Sequence, residues 1–317
     1  MVSQLTLTTV RTVKEAWNLL NGLVCVYKPT GVSVHHARNM MIDKLCQVIS
    51  VLKINIQDPN ASQLESLSEF SVTTTPNLAY HPLVNGPPIQ HQDIRVSWAN
   101  RLSRFSSGVL IFGINKGNRY IQELRDGRHL SVYHIGMELG LATDNQFVDG
   151  KVVEKATYAH VTPVKLDRFL SVIEASHQRK RFDYLGLHPE SQTAYDLASQ
   201  GLFRPAADGP TLLYQIKCIA FAPPHIMLEV CCINEDERFL ANVVHELGLS
   251  LKTVAVCSQI RCIRYGFFDL QHALVKKHWT LEHLLSNVAI CKDLVWKNGG
   301  FSPQAPILSP KHPPVNT

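Results

Sequence analysis

Apolar residues along the chain follow two different spacings, and each spacing predicts one type of secondary structure. Short runs that are apolar throughout, or that alternate with polar residues, predict β-strands. These runs lie at 22–28, 109–114, 131–139, 155–161, 211–221, 225–233 and 251–265. Apolar residues that recur every three or four positions predict amphipathic helices. This spacing is found at 34–53, 117–125, 166–177, 192–200, 237–247 and 280–295.

Glycine and proline residues predict where several of these elements end. Gly201 follows the helix predicted at 192–200, and Gly248 follows the one at 237–247, as expected for helix C-termini. Pro223 and Pro224 separate two strand-like runs and predict a hairpin-like or bent connection. Strands and helices do not alternate regularly along the chain. The sequence therefore predicts an α+β fold, with one mixed, mainly antiparallel sheet flanked by helices.

Three segments fall outside this pattern and set the predicted domain limits. Residues 54–80 are polar and rich in Ser, Thr and Asn, which predicts an inserted surface segment. Residues 297–317 are rich in proline and predict a disordered tail. Residues 1–21 combine basic residues with a single acid, typical of a mitochondrial targeting segment. They also have the apolar spacing of a first helix, so both interpretations stand. A single domain is predicted over 22–296.

Composition excludes some classes of protein. The 317 residues are 45% hydrophobic with a mean hydropathy of −0.02, and no apolar run approaches the ~20 residues of a membrane helix. The eight cysteines contain no Cys-x-x-Cys pair, which predicts reduced, buried thiols and neither a metal site nor disulfides. A net charge of +5 is a mild bias toward polyanions such as RNA.

Basic residues concentrate in two stretches that suit contacts with RNA phosphates. In the first stretch they stand near the aromatic residues Phe105 and Tyr120, and such cations interleaved with aromatics favour phosphate binding and base stacking. The candidate residues for RNA binding are Arg101, Arg104, Lys116 and Arg119 in the first stretch and Arg181 in the second. The same pattern is also typical of a solvated surface, and the residues alone do not decide between the two.

Six sequence motifs, in a fixed order, resemble those of TruB-family pseudouridine synthases, and most of all the branch that acts on mitochondrial messenger RNA. They are Gly22-Leu-Val-Cys-Val-Tyr-Lys28-Pro-Thr-Gly31; Arg101-Leu-Ser-Arg-Phe-Ser-Ser-Gly108-Val-Leu, preceded by His81-Pro-Leu-Val; Tyr133 in the following strand; Leu139-Gly-Leu-Ala-Thr-Asp144 with Asp149-Gly150; Ala194-Tyr195 with Ala198 and Gly201; and His245-Glu-Leu-Gly248, followed by the strand that contains Arg261 and Arg264.

The resemblance implies a mixed sheet with a long cleft that binds a uridine flipped out of structured RNA, without a cofactor. Tyr133 matches the family tyrosine that packs on the flipped base. Lys28 in the opening motif is a further candidate for RNA binding. A carboxylate then attacks the sugar or removes a sugar proton, so that uracil rotates and rejoins through carbon. The implied partner is mitochondrial messenger, transfer or ribosomal RNA, together with RNA-processing or ribosome-assembly proteins of the matrix.

The chain departs from the family pattern at the positions that carry this chemistry. Ser103 stands where the family has its catalytic aspartate, and Ala241 where it has the arginine that pairs with that aspartate. The family histidine ahead of the motif corresponds to Asn100 or a neighbour. Arg238, one turn before Ala241 on the predicted helix, is a candidate partial replacement for the arginine.

These departures predict an RNA-binding protein whose isomerase activity is impaired or lost. Two alternatives stand beside it. One is an active isomerase that uses a displaced carboxylate such as Asp93, and the other is a protein-binding scaffold.

Overall fold

The computed structural model describes residues 17–56, 90–199, 204–205, 209–301 and 307–308. The strands within these ranges are β1 (Gly22–Lys28), β2 (Val96–Trp98), β3 (Ser106–Ile114), β4 (Ser131–Leu139), β5 (Leu141–Thr143), β6 (Val152–Lys155), β7 (Arg204–Pro205), β8 (Leu212–Ala222), β9 (His225–Ile233), β10 (Ala255–Tyr265), β11 (Phe268–Asp269) and β12 (Ile307–Leu308). The helices are α1 (Val34–Ile56), α2 (Asn118–Asp126), α3 (Pro163–Tyr184), α4 (Gln192–Ser199), α5 (Glu237–Ser250) and α6 (Leu281–Lys297).

Eight strands form one central sheet, with the order β1-β3-β10-β4-β9-β8. The short strands β2 and β11 pair with β3 and β10. In this sheet β3 and β10 run parallel, and the other neighbouring strands run antiparallel. The predicted α+β fold with a mixed, mainly antiparallel sheet is therefore confirmed. Residues 223–224 connect β8 and β9 as a hairpin, as predicted.

Strand β3 lies between β1 and β10, and all nine of its residues are buried. Its Gly108 has φ +115°, and a Cβ atom there would collide with the carbonyl oxygen of Cys262 on β10. Glycine is therefore needed where the two parallel strands approach each other. This close pairing fixes the start of β3, and with it the preceding segment that contains Ser103.

Helix α5 packs on β10 and presents Ala241 among its buried residues. The carboxylate of Asp236 accepts a 2.7 Å hydrogen bond from the backbone N–H of Phe239, which caps the start of the helix. Gly248 does not end α5 as predicted, because the helix continues to Ser250. A Cβ atom at Gly248 would lie 2.7 Å from the backbone nitrogen of Ala255, so this glycine serves close packing.

The strand predicted at 155–161 is wrong. The observed strand is β6, which pairs with β5, and residues 156–161 form an irregular connection and a turn before α3. All four side chains of β6 are exposed, so burial did not impose an apolar pattern on it. The strand predicted at 251–265 begins later, at Ala255.

Two helices extend beyond their predicted limits. Helix α3 begins at Pro163 after the capping residue Thr162, and continues through a polar stretch to Tyr184. Helix α1 continues to Ile56, so the predicted inserted segment at 54–80 begins inside a helix. The rest of that segment lies outside the described residues. Within the predicted tail, β12 pairs with β7.

All eight cysteines lie in the described part of the chain as free thiols; five are buried, and Cys46, Cys218 and Cys231 are half-buried. Within that part of the chain, no helix has the length and apolar character that a membrane crossing requires.

Candidate functional site

The segment that contains Ser103 connects β2 to β3 and is anchored by a buried asparagine. Asn100 donates from Nδ2 to the carbonyl of Val109 at 2.8 Å and accepts from the backbone N–H of Ile111 at 3.3 Å. Leu102 is buried, whereas Arg101 and Arg104 on either side of it are exposed. The buried side chains of Asn100 and Leu102 thus attach the segment to the protein core, while Arg101 and Arg104 face solvent. Asn100, which the sequence aligned with the family histidine, has a structural role here.

Ser103 is half-buried and makes a local hydrogen bond. Its Oγ accepts from the backbone N–H of Phe105 at 3.1 Å, and the Phe105 ring packs on Phe147 with centroids 4.5 Å apart. Among the hydrogen bonds of the described residues, none joins the Ser103 hydroxyl to a histidine, a lysine or a carboxylate. The hydroxyl therefore stabilises a turn and lacks the adjacent base that would activate it.

A polar cluster lies at the start of β3, and the sequence did not predict it. The ammonium of Lys28 is fully buried and donates to the carbonyls of Pro29, at 3.1 Å, and of Ser106. The Ser106 hydroxyl donates to Oε1 of Glu237 at 3.2 Å. Burial lowers the pKa of Lys28 to about 8, against the opposing effect of the Glu237 carboxylate. Burial also raises the pKa of Glu237, while Ser106 and Lys28 oppose that rise.

Lys28 therefore differs from the other cations predicted to bind RNA. Its ammonium is buried and already has two carbonyl acceptors. The predicted contact between Lys28 and RNA stays a prediction.

Tyr133 lies in the core, with 2% of its surface exposed. Its hydroxyl donates to Oε1 of Glu235 at 2.7 Å. Burial and the neighbouring carboxylate both raise the pKa of Tyr133 well above its usual value. Burial also raises the pKa of Glu235. A base could stack on this ring only after its surroundings had opened, so that role stays a prediction.

Ala241 is packed into the core, with 1% of its surface exposed. It lies one turn after Glu237 on α5, on the same side of the helix. Arg238 is exposed and lines a different cleft, together with Asp144 and Phe239. Arg238 is therefore directed toward the 144–147 turn, and the core around Ala241 is filled by apolar contacts.

Asp93, the carboxylate that the sequence offered as a substitute, has a local role. Its Oδ2 accepts from the backbone N–H of Gln90 at 2.8 Å and caps a short 3-10 turn. Its charge contributes to the raised pKa of Cys46, after burial and Asp43, which places it beside α1. The carboxylate that hydrogen-bonds at the start of β3 is instead that of Glu237.

The other five cations predicted to bind RNA do not form one patch. Arg101 and Arg104 flank Ser103, and Arg104 donates from Nε to the carbonyl of Gly31 at 3.1 Å. Lys116 and Arg119 follow the far end of β3, a strand length of roughly 25 Å away. Arg119 pairs with Glu123 at 3.6 Å.

Arg181 lies on α3, with its guanidinium carbon 4.8 Å from the centroid of the Tyr214 ring. Burial lowers its pKa. The structure therefore brings Arg101 and Arg104 together at Ser103, and not the other three.

Two clefts lie on either side of the Ser103 segment. One is lined by Gly31, Arg104, Phe105 and Asp149. The other has a volume of about 560 Å³ and is lined mainly by polar groups, among them three arginines. We call it the arginine cleft and define it by Arg101, Arg125, Arg128, Asn234 and Glu235. Arg125 and Arg128 belong to the first basic stretch of the sequence but were not among the predicted site residues.

Comparisons with known proteins are consistent with the motif resemblance. The model of the N-terminal domain of TruB family pseudouridylate synthases matches residues 89–236. The chain is 38% identical to the mitochondrial pseudouridylate synthase TRUB2 of Homo sapiens, over 84% of this chain and 82% of the relative. Its identity to the Xenopus tropicalis protein of the same name is 36%, over 86% of each chain.

Among solved structures, the chain is similar to a crystal structure of the archaeal box H/ACA Nop10–Cbf5 complex. The TM-score is 0.46 at 12% identity, and the match covers 86% of this chain and 59% of that one.

Proposed function

Because the chain belongs to the TruB family of pseudouridine synthases, we propose that it is an RNA-binding member whose isomerase activity is impaired or lost. The observation that supports this proposal most directly is the local hydrogen bonding of Ser103. Its hydroxyl accepts a backbone hydrogen bond from Phe105, and the position of the family arginine is the buried Ala241.

The chemistry of the two side chains supports impaired catalysis. Attack on the sugar, or removal of a sugar proton, needs a group that is ionised at neutral pH, which a carboxylate is. A serine hydroxyl needs an adjacent general base to act in either way. A buried arginine would also be costly once its carboxylate was lost. The absence of the arginine at position 241 is therefore expected where the aspartate at position 103 is absent.

Binding of RNA is supported by the exposed cations on both sides of Ser103. Arg101 and Arg104 stay accessible at the mouths of the two clefts, and the chain has a net charge of +5. Because phosphate contacts provide most nonspecific affinity for RNA, the loss of one carboxylate leaves this capacity intact and removes a repulsive charge.

We also propose that the protein acts in mitochondria, because the relatives at 36–38% identity are named mitochondrial proteins. Residues 1–21 would then contain the targeting signal. The RNA would be a mitochondrial messenger, transfer or ribosomal RNA, with RNA-processing or ribosome-assembly proteins as further partners.

A second candidate function is isomerisation through a displaced carboxylate. The observation that favours it is the hydrogen bond between Ser106 and Glu237 at the start of β3, which makes Glu237 a better candidate than Asp93. The raised pKa of Glu237 weakens this case, because burial favours its neutral form.

The deciding experiment measures pseudouridine by nucleoside mass spectrometry after the full-length protein is incubated with mitochondrial RNA transcripts. The proposal expects RNA binding without pseudouridine. Turnover by the wild type and the Ser103→Ala variant, but not by Glu237→Gln or Asp93→Asn, would establish the second candidate instead. Absence of any salt-dependent RNA binding would reject both and favour a protein-binding scaffold.

A further inference from the structure

We propose that the arginine cleft is a subsite for a phosphodiester group of RNA, which holds the strand beside the Ser103 segment. This inference rests on the proposed RNA binding and names a place where that binding occurs. Three guanidinium groups reach the cleft from different segments. Arg101 comes from the connection before β3, Arg125 from the last turn of α2 and Arg128 from the turn that follows.

Arg125 and Arg128 are half-buried and are held in place by neutral acceptors. Arg125 donates from Nη2 to the carbonyl of Trp98, and Arg128 donates from Nη1 to Oδ1 of Asn234 at 3.1 Å. A guanidinium has five N–H donors in a fixed plane, so each side chain keeps donors for a ligand. Such forks match the oxygens of a phosphate group.

The two acidic residues that line the cleft, Asp126 and Glu235, are outnumbered by the three arginines. Within the described ranges, none of the three has a carboxylate oxygen within the 4.0 Å of a salt bridge. Asp126 accepts a 3.0 Å hydrogen bond from the Gln122 amide. Glu235 is bound by the Tyr133 hydroxyl, and burial raises its pKa. The lining of the cleft therefore has a net positive charge, which favours the binding of an anion.

The backbone of the turn that holds Arg128 is strained. Arg128 has φ +42°, in the left-handed region that non-glycine residues rarely adopt. The turn is also tight, because a Cβ atom at Gly127 would lie 2.7 Å from Nε2 of His129 and 2.9 Å from the carbonyl oxygen of Phe301. Such strain persists where the surroundings fix it, and it is concentrated at binding sites. Here it directs a cation into the cleft.

The size and position of the cleft favour RNA over a free anion. About 560 Å³ exceeds the need of one phosphate group and admits part of the attached nucleoside. Residues 101 and 103 are two positions apart, so their Cα atoms lie within roughly 7.6 Å. A strand that contacts the Ser103 segment therefore passes the mouth of the cleft.

The test compares the Arg125→Gln/Arg128→Gln double variant with Arg168→Gln, an exposed arginine on α3 outside the cleft. The probe is a 20-nucleotide uridine-rich RNA with a fluorescent label, and binding is measured by anisotropy at several salt concentrations. We expect a 10- to 100-fold increase in Kd for the double variant. We also expect the slope of log Kd against log salt to fall by about 0.7 for each lost phosphate contact. Arg168→Gln should match the wild type.

A second variant separates binding from folding. Arg128→Gly removes the guanidinium and suits the left-handed backbone, so it should keep the thermal stability of the wild type while its RNA affinity falls. A loss of stability without a loss of affinity would show that Arg128 is structural and overturn the subsite.

Further outcomes distinguish this inference from the proposed function. If the wild type binds RNA with a salt dependence that both cleft variants retain, the subsite is wrong while RNA binding stands. If inorganic phosphate or uridine 5′-monophosphate stabilises the wild type but not the double variant, and RNA affinity is equal, the cleft takes a free anion and the RNA subsite is wrong. If the wild type binds no RNA, the proposed function fails first.

Discussion

The hydroxyl of Tyr133 lies 2.7 Å from Oε1 of Glu235 and donates to it inside the protein. The aromatic ring that the family resemblance assigns to the flipped base is thus tied to a carboxylate just before α5. Burial raises the pKa of both groups, and at Glu235 the hydrogen bond from Tyr133 opposes that rise.

Tyr133→Phe should lower the free energy of unfolding by about 1–3 kcal/mol, because the Glu235 carboxylate loses its buried donor. Urea denaturation followed by circular dichroism measures this change. Glu235→Gln serves as the matched control, and the double variant should be more stable than the sum of the two single effects predicts. Equal stability of Tyr133→Phe and the wild type would show that the hydrogen bond contributes nothing.

Ser103→Asp combined with Ala241→Arg should restore detectable pseudouridine formation, where neither substitution alone does so. The aspartate supplies the missing carboxylate and the arginine keeps it ionised. Nucleoside mass spectrometry of treated RNA measures the product. Because Ala241 is packed in the core, Ala241→Arg alone should destabilise the protein, and the added aspartate should recover part of that loss. Full activity of Ser103→Asp alone would contradict the assigned role of position 241.

Acid should destabilise the protein through His177, which is 6% exposed. Burial, followed by the charges of Lys180 and Arg181, lowers the pKa of His177 to about 4. The unfolded chain therefore binds a proton near pH 6.5 that the folded chain binds only near pH 4, and stability falls as the pH falls through that window.

Between pH 7 and pH 5 the wild type should lose about 2 kcal/mol more than His177→Leu in urea denaturation. His188→Leu, at an exposed position, is the control and should follow the wild type. A parallel decline of all three proteins would exclude His177 as the cause.

Lys28 should produce a dependence of the same sign at alkaline pH. Its folded pKa of about 8 lies below the ordinary value of 10.5, so the folded protein releases the proton first and stability rises with pH in this window. From pH 7 to pH 9 the wild type should gain about 1 kcal/mol relative to Lys28→Met. Comparing the two proteins at each pH removes the contribution of the cysteines. A constant difference would show that Lys28 does not titrate there.

Much of the fold was predictable because burial leaves a spacing in the sequence. The limits of β1, β4 and β9 agree with their predicted runs. The hairpin of β5 and β6 was missed, since β6 is fully exposed and has no apolar face to mark it. Gly248 was misread because a glycine inside a helix and one after its end look alike in sequence.

The site was predictable only in part. The motif resemblance proposed Ser103, Tyr133 and Ala241 from their order along the chain, and their roles stay predictions. In the polar cluster, Ser106 lies 78 positions from Lys28 and 131 positions from Glu237 along the chain. No local sequence pattern predicts contacts over such separations. The arginine cleft likewise depends on Asn234, which is 106 positions from Arg128.

Gly108 shows that a sequence motif can persist for mechanical reasons. This glycine admits β10 alongside β3, and the buried Leu102 and Asn100 attach the preceding segment to the sheet. Assembly of the sheet requires these three residues whether or not the protein catalyses a reaction. The side chain of residue 103 is half-buried and contributes only a local turn hydrogen bond, so the sheet constrains it less than it constrains its neighbours. The residues around position 103 therefore mark the architecture of the family, and they would do so whichever side chain stood at 103.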